Sequence, residues 1–136
     1  MFFQIIKNYY HLFQSLIANI RYGFPARNMK IIGVTGTDGK TTCASMIYHI
    51  LKTNGFKVAM ITTIYAKAGD EVINTGLHVT TPEPWQLPMF IAKFKAKGYD
   101  YLVLESTSQG LDQHRLFGIT YDTSLITNIG QDHLDY

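Results

Sequence analysis

Ten consecutive residues, Gly33-Val34-Thr35-Gly36-Thr37-Asp38-Gly39-Lys40-Thr41-Thr42, hold the densest set of groups in this sequence that could do chemistry. Glycines let backbone N–H groups approach phosphate oxygens, Lys40 supplies a cation for the outer phosphates, and Thr41 offers a hydroxyl to Mg²⁺. In outline this is a site for ATP or GTP. The spacing departs from the strict G-x-x-x-x-G-K-[ST] pattern, because Val34 stands where the first glycine belongs and Gly33 lies one residue earlier. Glu105 is the second candidate. It ends the apolar run 101–104, where open parallel sheets present ligand-binding groups, and its carboxylate could complete a Mg²⁺ shell begun by Thr41. Arg115 carries a guanidinium that can grip a carboxylate or phosphate through two parallel hydrogen bonds.

These groups need elements to position them, and short apolar runs alternating with longer amphipathic segments supply a strand-helix repeat. The pattern predicts a strand at 31–34, a helix over 41–54 closed by Asn54-Gly55, and a strand at 58–64. Residues 65–79 contain Gly69-Asp70 and Gly76 and read as a loop or short hairpin excursion. Pro84 opens a helix that runs to about residue 97 before Gly98 stops it. A strand at 101–104, a short helical turn at 111–117 and a strand at 123–126 complete the series. The expected fold is α/β, a mostly parallel sheet flanked by helices and of the phosphate-loop type.

Composition narrows the classes. At 136 residues the chain suits a single core, and 46% hydrophobic against 16% charged residues excludes disorder. A formal charge of +2 gives no reason to invoke nucleic acid, although Lys7, Arg21, Arg27 and Lys30 all precede the first acidic residue, Asp38. The single cysteine, Cys43, can form no internal disulfide and fits a reducing cytoplasm. The apolar N-terminus is interrupted by Lys7, Asn8, His11, Gln14 and Asn19, which argues against a signal peptide or a spanning helix. Phe2, Ile5, Ile6, Tyr9, Phe13, Leu16, Ile17 and Ile20 instead recur at three- and four-residue steps, the stripe of an amphipathic helix. Docking of that stripe onto its own domain or a partner is the favoured expectation. Peripheral attachment to anionic lipid is the less favoured one.

Three ordered segments then carry a family resemblance. The loop G-x-T-G-T-[ND]-G-K-T-T, the segment Glu105-Ser106-Thr107-Ser108-Gln109-Gly110-Leu111 and the segment Thr127-Asn128-Ile129-Gly130-Gln131-Asp132-His133-Leu134-Asp135-Tyr136 resemble those of the Mur ligases and their folylpolyglutamate synthetase relatives. Thr80-Thr81-Pro82 and Leu111-Asp112-Gln113-His114-Arg115 resemble the branch that adds the third residue of the peptidoglycan stem. The resemblance implies an ATP-dependent ligase that joins an amino acid to a UDP-N-acetylmuramyl peptide through an acyl phosphate, with Mg²⁺ as cofactor. It implies that Gly36, Thr37, Asp38, Gly39, Lys40, Thr41, Thr42 and Asn128 hold the nucleotide, and that Lys40, Glu105 and His133 serve catalysis. Thr41, Glu105 and His133 would ligate metal, Asp132 would help shape their loop, and Thr80, Thr81, Thr107 and Arg115 would hold the UDP-muramyl peptide. Thr107 stands where the family has serine and Gln109 where it has histidine, which removes any role needing an imidazole there. The domain expectation is a helix and linker over 1–29 and a central ATP-binding domain over 30–136, truncated at its end. The family's C-terminal domain, its carbamylated lysine and its UDP-binding domain are expected to be missing, leaving the chain an inactive portion. A folylpolyglutamate-type ligase and a non-catalytic nucleotide-binding module are the alternatives.

Overall fold

The computed structural model describes residues 2–74 and 83–130, and within them six strands form one sheet in the order β4-β3-β2-β5-β1-β6. The strands are β1 (Lys30–Thr35), β2 (Val58–Ile61), β3 (Tyr65–Ala68), β4 (Glu71–Asn74), β5 (Tyr101–Glu105) and β6 (Thr123–Ile126). The helices are α1 (Phe2–Arg21), α2 (Lys40–Thr53), α3 (Gln86–Ala96) and α4 (Ser108–Asp112), with a 3-10 turn at Pro25–Asn28. β2, β5, β1 and β6 run parallel, while β3 and β4 extend the sheet as an antiparallel hairpin. The mostly parallel α/β architecture read from the sequence is therefore the fold.

Period-two alternation assigns each strand residue to one of two cores. Ile31, Ala59, Ile61, Leu102 and Leu104 face α3 and meet Leu87, Phe90, Ile91 and Phe94. Val34, Val58, Met60 and Val103 face the other way and meet Ala44 and Tyr48 of α2. β5 is covered on both sides, so its run is apolar without interruption, as central parallel strands are.

Two elements differ from the sequence reading, and a third settles on one of its two alternatives. β2 ends at Ile61 rather than 64, because the Thr62 hydroxyl accepts from the N–H groups of Ile64 and Tyr65 and donates to the Tyr65 carbonyl, closing a turn. The excursion after it is a full hairpin of the same sheet, tied to α3 where Lys93 and Lys97 both pair with Glu71. The short helix lies at Ser108–Asp112 rather than 111–117, because Thr107 caps it by accepting from the Gly110 N–H at 3.1 Å.

The larger difference is α1. Its apolar stripe does not dock onto the domain; the helix packs with its polar side instead. Ser15 donates to the His114 carbonyl at 3.0 Å, Asn19 to the Phe117 carbonyl at 2.9 Å, and Asn8 to the Asp112 carbonyl at 3.2 Å. The irregular segment after α4 leaves carbonyls that no helix or sheet ladder uses, and these side chains satisfy them. His11, Ser15, Ala18 and Asn19 are accordingly buried, while Ile5, Ile6, Tyr9, Phe13, Ile17 and Ile20 are exposed.

Candidate functional site

β1 delivers the chain to the carboxyl edge of the sheet at Thr35, the loop 36–39 turns there, and α2 begins at Lys40. Gly36 has φ 137°, and a Cβ on it would lie 2.1 Å from the Thr127 hydroxyl. Only glycine fits. Gly39, at φ 77°, is the residue before α2 and offers no side-chain cap. The first-turn N–H groups of α2 therefore face outward from an uncapped helix start, which is an anion-binding feature.

The segment after β6 braces this loop. The Asn128 side-chain oxygen accepts from the N–H groups of Thr37 at 2.9 Å and Asp38 at 3.0 Å. Thr127 donates to the Asp38 carbonyl at 2.6 Å, and the Gly130 N–H donates to the Thr37 hydroxyl at 3.0 Å. β6 pairs with β1 in parallel register, Thr35 opposite Ile126, so the two motifs leave the sheet side by side. Lys40 folds over the loop and donates to the carbonyls of Gly36 and Thr37, both at 2.7 Å. Its ammonium is thereby held at the loop mouth.

Glu105 is the last residue of β5, opposite Val34 in the parallel register. It is only 3% exposed, and one carboxylate oxygen accepts from the Thr41 hydroxyl at 2.9 Å and from the Thr63 N–H at 3.3 Å. A hydroxyl and a carboxylate meet here beside the start of α2. Among the described residues no group of three or more His, Cys, Asp or Glu side chains gathers. A single carboxylate with a hydroxyl is nevertheless a fitting donor set for Mg²⁺, which keeps waters and takes phosphate oxygens for its remaining positions. The residues present therefore fit a Mg²⁺-nucleotide, with Thr41 and Glu105 as the protein ligands.

A cavity of about 330 Å³ lies between the loop, the start of α4 and the segment after β6, lined among others by Gly36, Thr37, Lys40, Thr107, Gln109 and Asn128. It joins the residues expected to hold nucleotide to Thr107, which was expected to hold the second substrate. Arg115 does not line it. That guanidinium is 9% exposed, with Glu83 at 3.9 Å, and it faces α1. Burial and then the nearby Arg115 charge push the His11 imidazole of α1 below its usual pKa, against an opposing pull from Glu83. Thr42 and Asp38 are exposed at the loop. Thr80, Thr81, Asp132 and His133 lie outside the described residues. Reasoning from the sequence passed over Thr127 as a brace, although it stands inside a quoted motif. It also missed the Thr63 N–H, for which a backbone donor leaves no sequence signal.

Ser106 connects the site to the core that faces α3. Its hydroxyl lies 2.7 Å from the Tyr121 hydroxyl, and burial raises the Tyr121 pKa while that hydrogen bond partly offsets the rise.

Known proteins are similar to the chain in sequence and in fold. The chain is 39% identical over 127 residues to a UDP-N-acetylmuramyl-tripeptide synthetase of Borreliella afzelii, covering 91% of this chain and 25% of that protein. It is 39% identical over 134 residues to a UDP-N-acetylmuramoyl-L-alanyl-D-glutamate--2,6-diaminopimelate ligase of Bacillus cereus, covering 97% of this chain and 26% of that protein. The chain thus spans about a quarter of the length of these relatives. A solved structure of a diaminopimelate ligase of the same name superposes with a TM-score of 0.65 at 28% identity, covering 80% of this chain and 22% of that one. A folylpolyglutamate synthetase from Lactobacillus casei superposes with a TM-score of 0.69 at 21% identity, covering 88% of this chain and 36% of that one, and shares the fold. Residues 34–136 match the Mur ligase middle domain. The chain belongs to the Mur ligase family.

Proposed function

We propose that these residues form the nucleotide-binding part of an ATP-dependent ligase that extends a UDP-N-acetylmuramyl peptide by one amino acid. The observation that carries this reading is the Thr41–Glu105 pair at 2.9 Å beside the uncapped start of α2, in a loop braced by Asn128. In the reaction a substrate carboxylate oxygen bonds to the γ-phosphorus of ATP, the bond to the bridging oxygen breaks and ADP departs. The amine of the amino acid then attacks the acyl carbon, loses a proton and displaces phosphate. Mg²⁺, when bound, neutralises phosphate charge at Thr41 and Glu105.

The chain's own groups do the positioning. Lys40 and the first-turn N–H groups of α2 hold the outer phosphates and offset the charge that builds on the transferring group. Thr107 and Gln109 line the same cavity as Lys40, which supports a carboxylate-bearing substrate next to the γ-phosphate. Arg115, Thr80 and Thr81 belong to the muramyl-peptide side of the proposal, and His133 to a second Mg²⁺. The family resemblance supports these four, and the proposed division is a helix and linker over 1–29 ahead of a nucleotide domain from 30 onward.

Two measurements test the reading. Calorimetric titration with ATP–Mg²⁺ is expected to show at least roughly ten-fold weaker binding for Lys40→Ala, given a charge-assisted phosphate contact. Equal affinities would remove the site. Thermal protection by a UDP-N-acetylmuramyl dipeptide and none by a folate is expected, and the reverse would move the chain to the folylpolyglutamate branch.

A further inference from the structure

The polar side of α1 is spent on the domain, and its apolar side faces outward. Projected at about 100° per residue, Ile6, Tyr9, Phe13, Leu16, Ile17 and Ile20 fall within an arc of roughly 100°, about 150° from the arc of the docked residues. These six side chains are between 36% and 67% exposed. A continuous apolar face along a helix of 20 residues is larger than scattered surface hydrophobics require.

Charge decides among the occupants. On the same projection Arg21 lies about 40° and Lys7 about 80° beyond one edge of this arc, both exposed, and among the described residues neither has a carboxylate partner. α1 holds no acidic residue, and none occurs before Asp38. A second copy of the helix would offer these cations no acid to match them. An anionic lipid surface accepts both features at once, since acyl chains take the apolar arc and headgroups take the basic flank, with Tyr10 at the boundary. No helix among the described residues is long and apolar enough to cross a membrane.

We infer that α1 is an interfacial helix that docks the chain on an anionic bilayer through its apolar face.

Sedimentation of the 136-residue chain with vesicles of phosphatidylglycerol and phosphatidylcholine in equal parts, and with phosphatidylcholine alone, tests this. The chain is expected to sediment with the anionic vesicles and to be released as salt rises past about 0.15 M, where screening shortens to roughly 8 Å. Lys7→Gln and Arg21→Gln should each weaken partitioning about five-fold. Phe13→Asp should abolish it while circular dichroism stays unchanged, since Phe13 makes its surface exposed and α1 is held by its other side. Three results overturn the inference: the wild-type chain staying in the supernatant with anionic vesicles at low salt, binding indifferent to lipid charge, or a concentration-dependent dimer without vesicles that Phe13→Asp dissolves. The last would make a second copy the occupant.

Discussion

The loop before α2 and the helix α1 solve opposite problems with similar residues. In the loop, polar side chains from 37–41 and 127–128 satisfy one another, and the groups left facing out are a cation, a helix start and a hydroxyl–carboxylate pair. In α1, polar side chains satisfy a neighbouring backbone, and what is left facing out is apolar. Polar residues in this molecule mark where irregular backbone needs partners, and the chemistry offered to a ligand is whatever remains. The comparison implies that the loop tolerates no added atom at Gly36, whereas the outer face of α1 tolerates nearly any.

The largest expected effect comes from breaking the loop's close approach. Gly36→Ala places a methyl against Thr127 in a backbone conformation that alanine rarely adopts, and should cost about 2–4 kcal/mol. Gly55→Ala has φ 83° but nothing within 4 Å, so it should cost only about 1 kcal/mol. Urea titration of both variants checks the contrast. Similar losses would mean that the brace from Asn128 and Thr127 is loose.

Glu105 comes next. Glu105→Ala leaves the Thr41 hydroxyl and the Thr63 N–H without their acceptor in a buried position and should cost about 1–3 kcal/mol. Glu105→Gln keeps an acceptor of the same shape and should fold close to wild type while losing the Mg²⁺ dependence of nucleotide binding. Should Glu105→Gln keep that dependence, the carboxylate serves packing only.

The sheet was legible because its signal is local. β1, α2, β5 and β6 fall within a residue or two of their expected positions, since continuous apolar runs and the glycines between them admit few alternatives. The ends of β2 and α4 were not legible, because they depend on single hydroxyls, Thr62 and Thr107, choosing a backbone partner. The site showed the same division. Motif spacing picked out Lys40, Thr41, Glu105 and Asn128, which the fold brings together. The placement of Arg115 beneath α1, away from the cavity, depends on a tertiary contact that no spacing encodes. For α1 the amphipathic period was right and its direction reversed, because periodicity separates two faces without saying which one has a partner.

That reversal gives a smaller pair of effects. Asn19→Ala removes donors to the Ser15 and Phe117 carbonyls in a buried position and should destabilise by about 1–2 kcal/mol. Ile17→Gln, on the exposed side, should stay within about 0.5 kcal/mol of wild type. Thermal melts of the pair sharpen the comparison, and a greater loss for Ile17→Gln would restore the docking expected from the pattern alone.

The smallest effect concerns pH at the same interface. The His11 Nδ1 is buried with no hydrogen-bond partner among the described residues, and burial followed by the Arg115 charge holds the imidazole below its ordinary value of 6.5, with Lys7 acting the same way and Glu83 opposing. The unfolded chain therefore binds the proton more readily than the folded one. Stability from neutral His11 is complete above pH 6.5 and is lost as pH falls from there through the lowered folded value. Melting temperatures taken from about pH 8 to about pH 5 should fall more steeply in wild type than in His11→Gln, because glutamine removes the buried imidazole from this contact. The difference should lie in the unfolding of α1 from the segment after α4, and so should be accompanied by lower amide protection, relative to intrinsic exchange at each pH, along α1 in acid. Parallel slopes in the two proteins would show that His11 keeps its proton equilibrium unchanged on folding, and that Asn8, Ser15 and Asn19 hold the polar side of α1 without it.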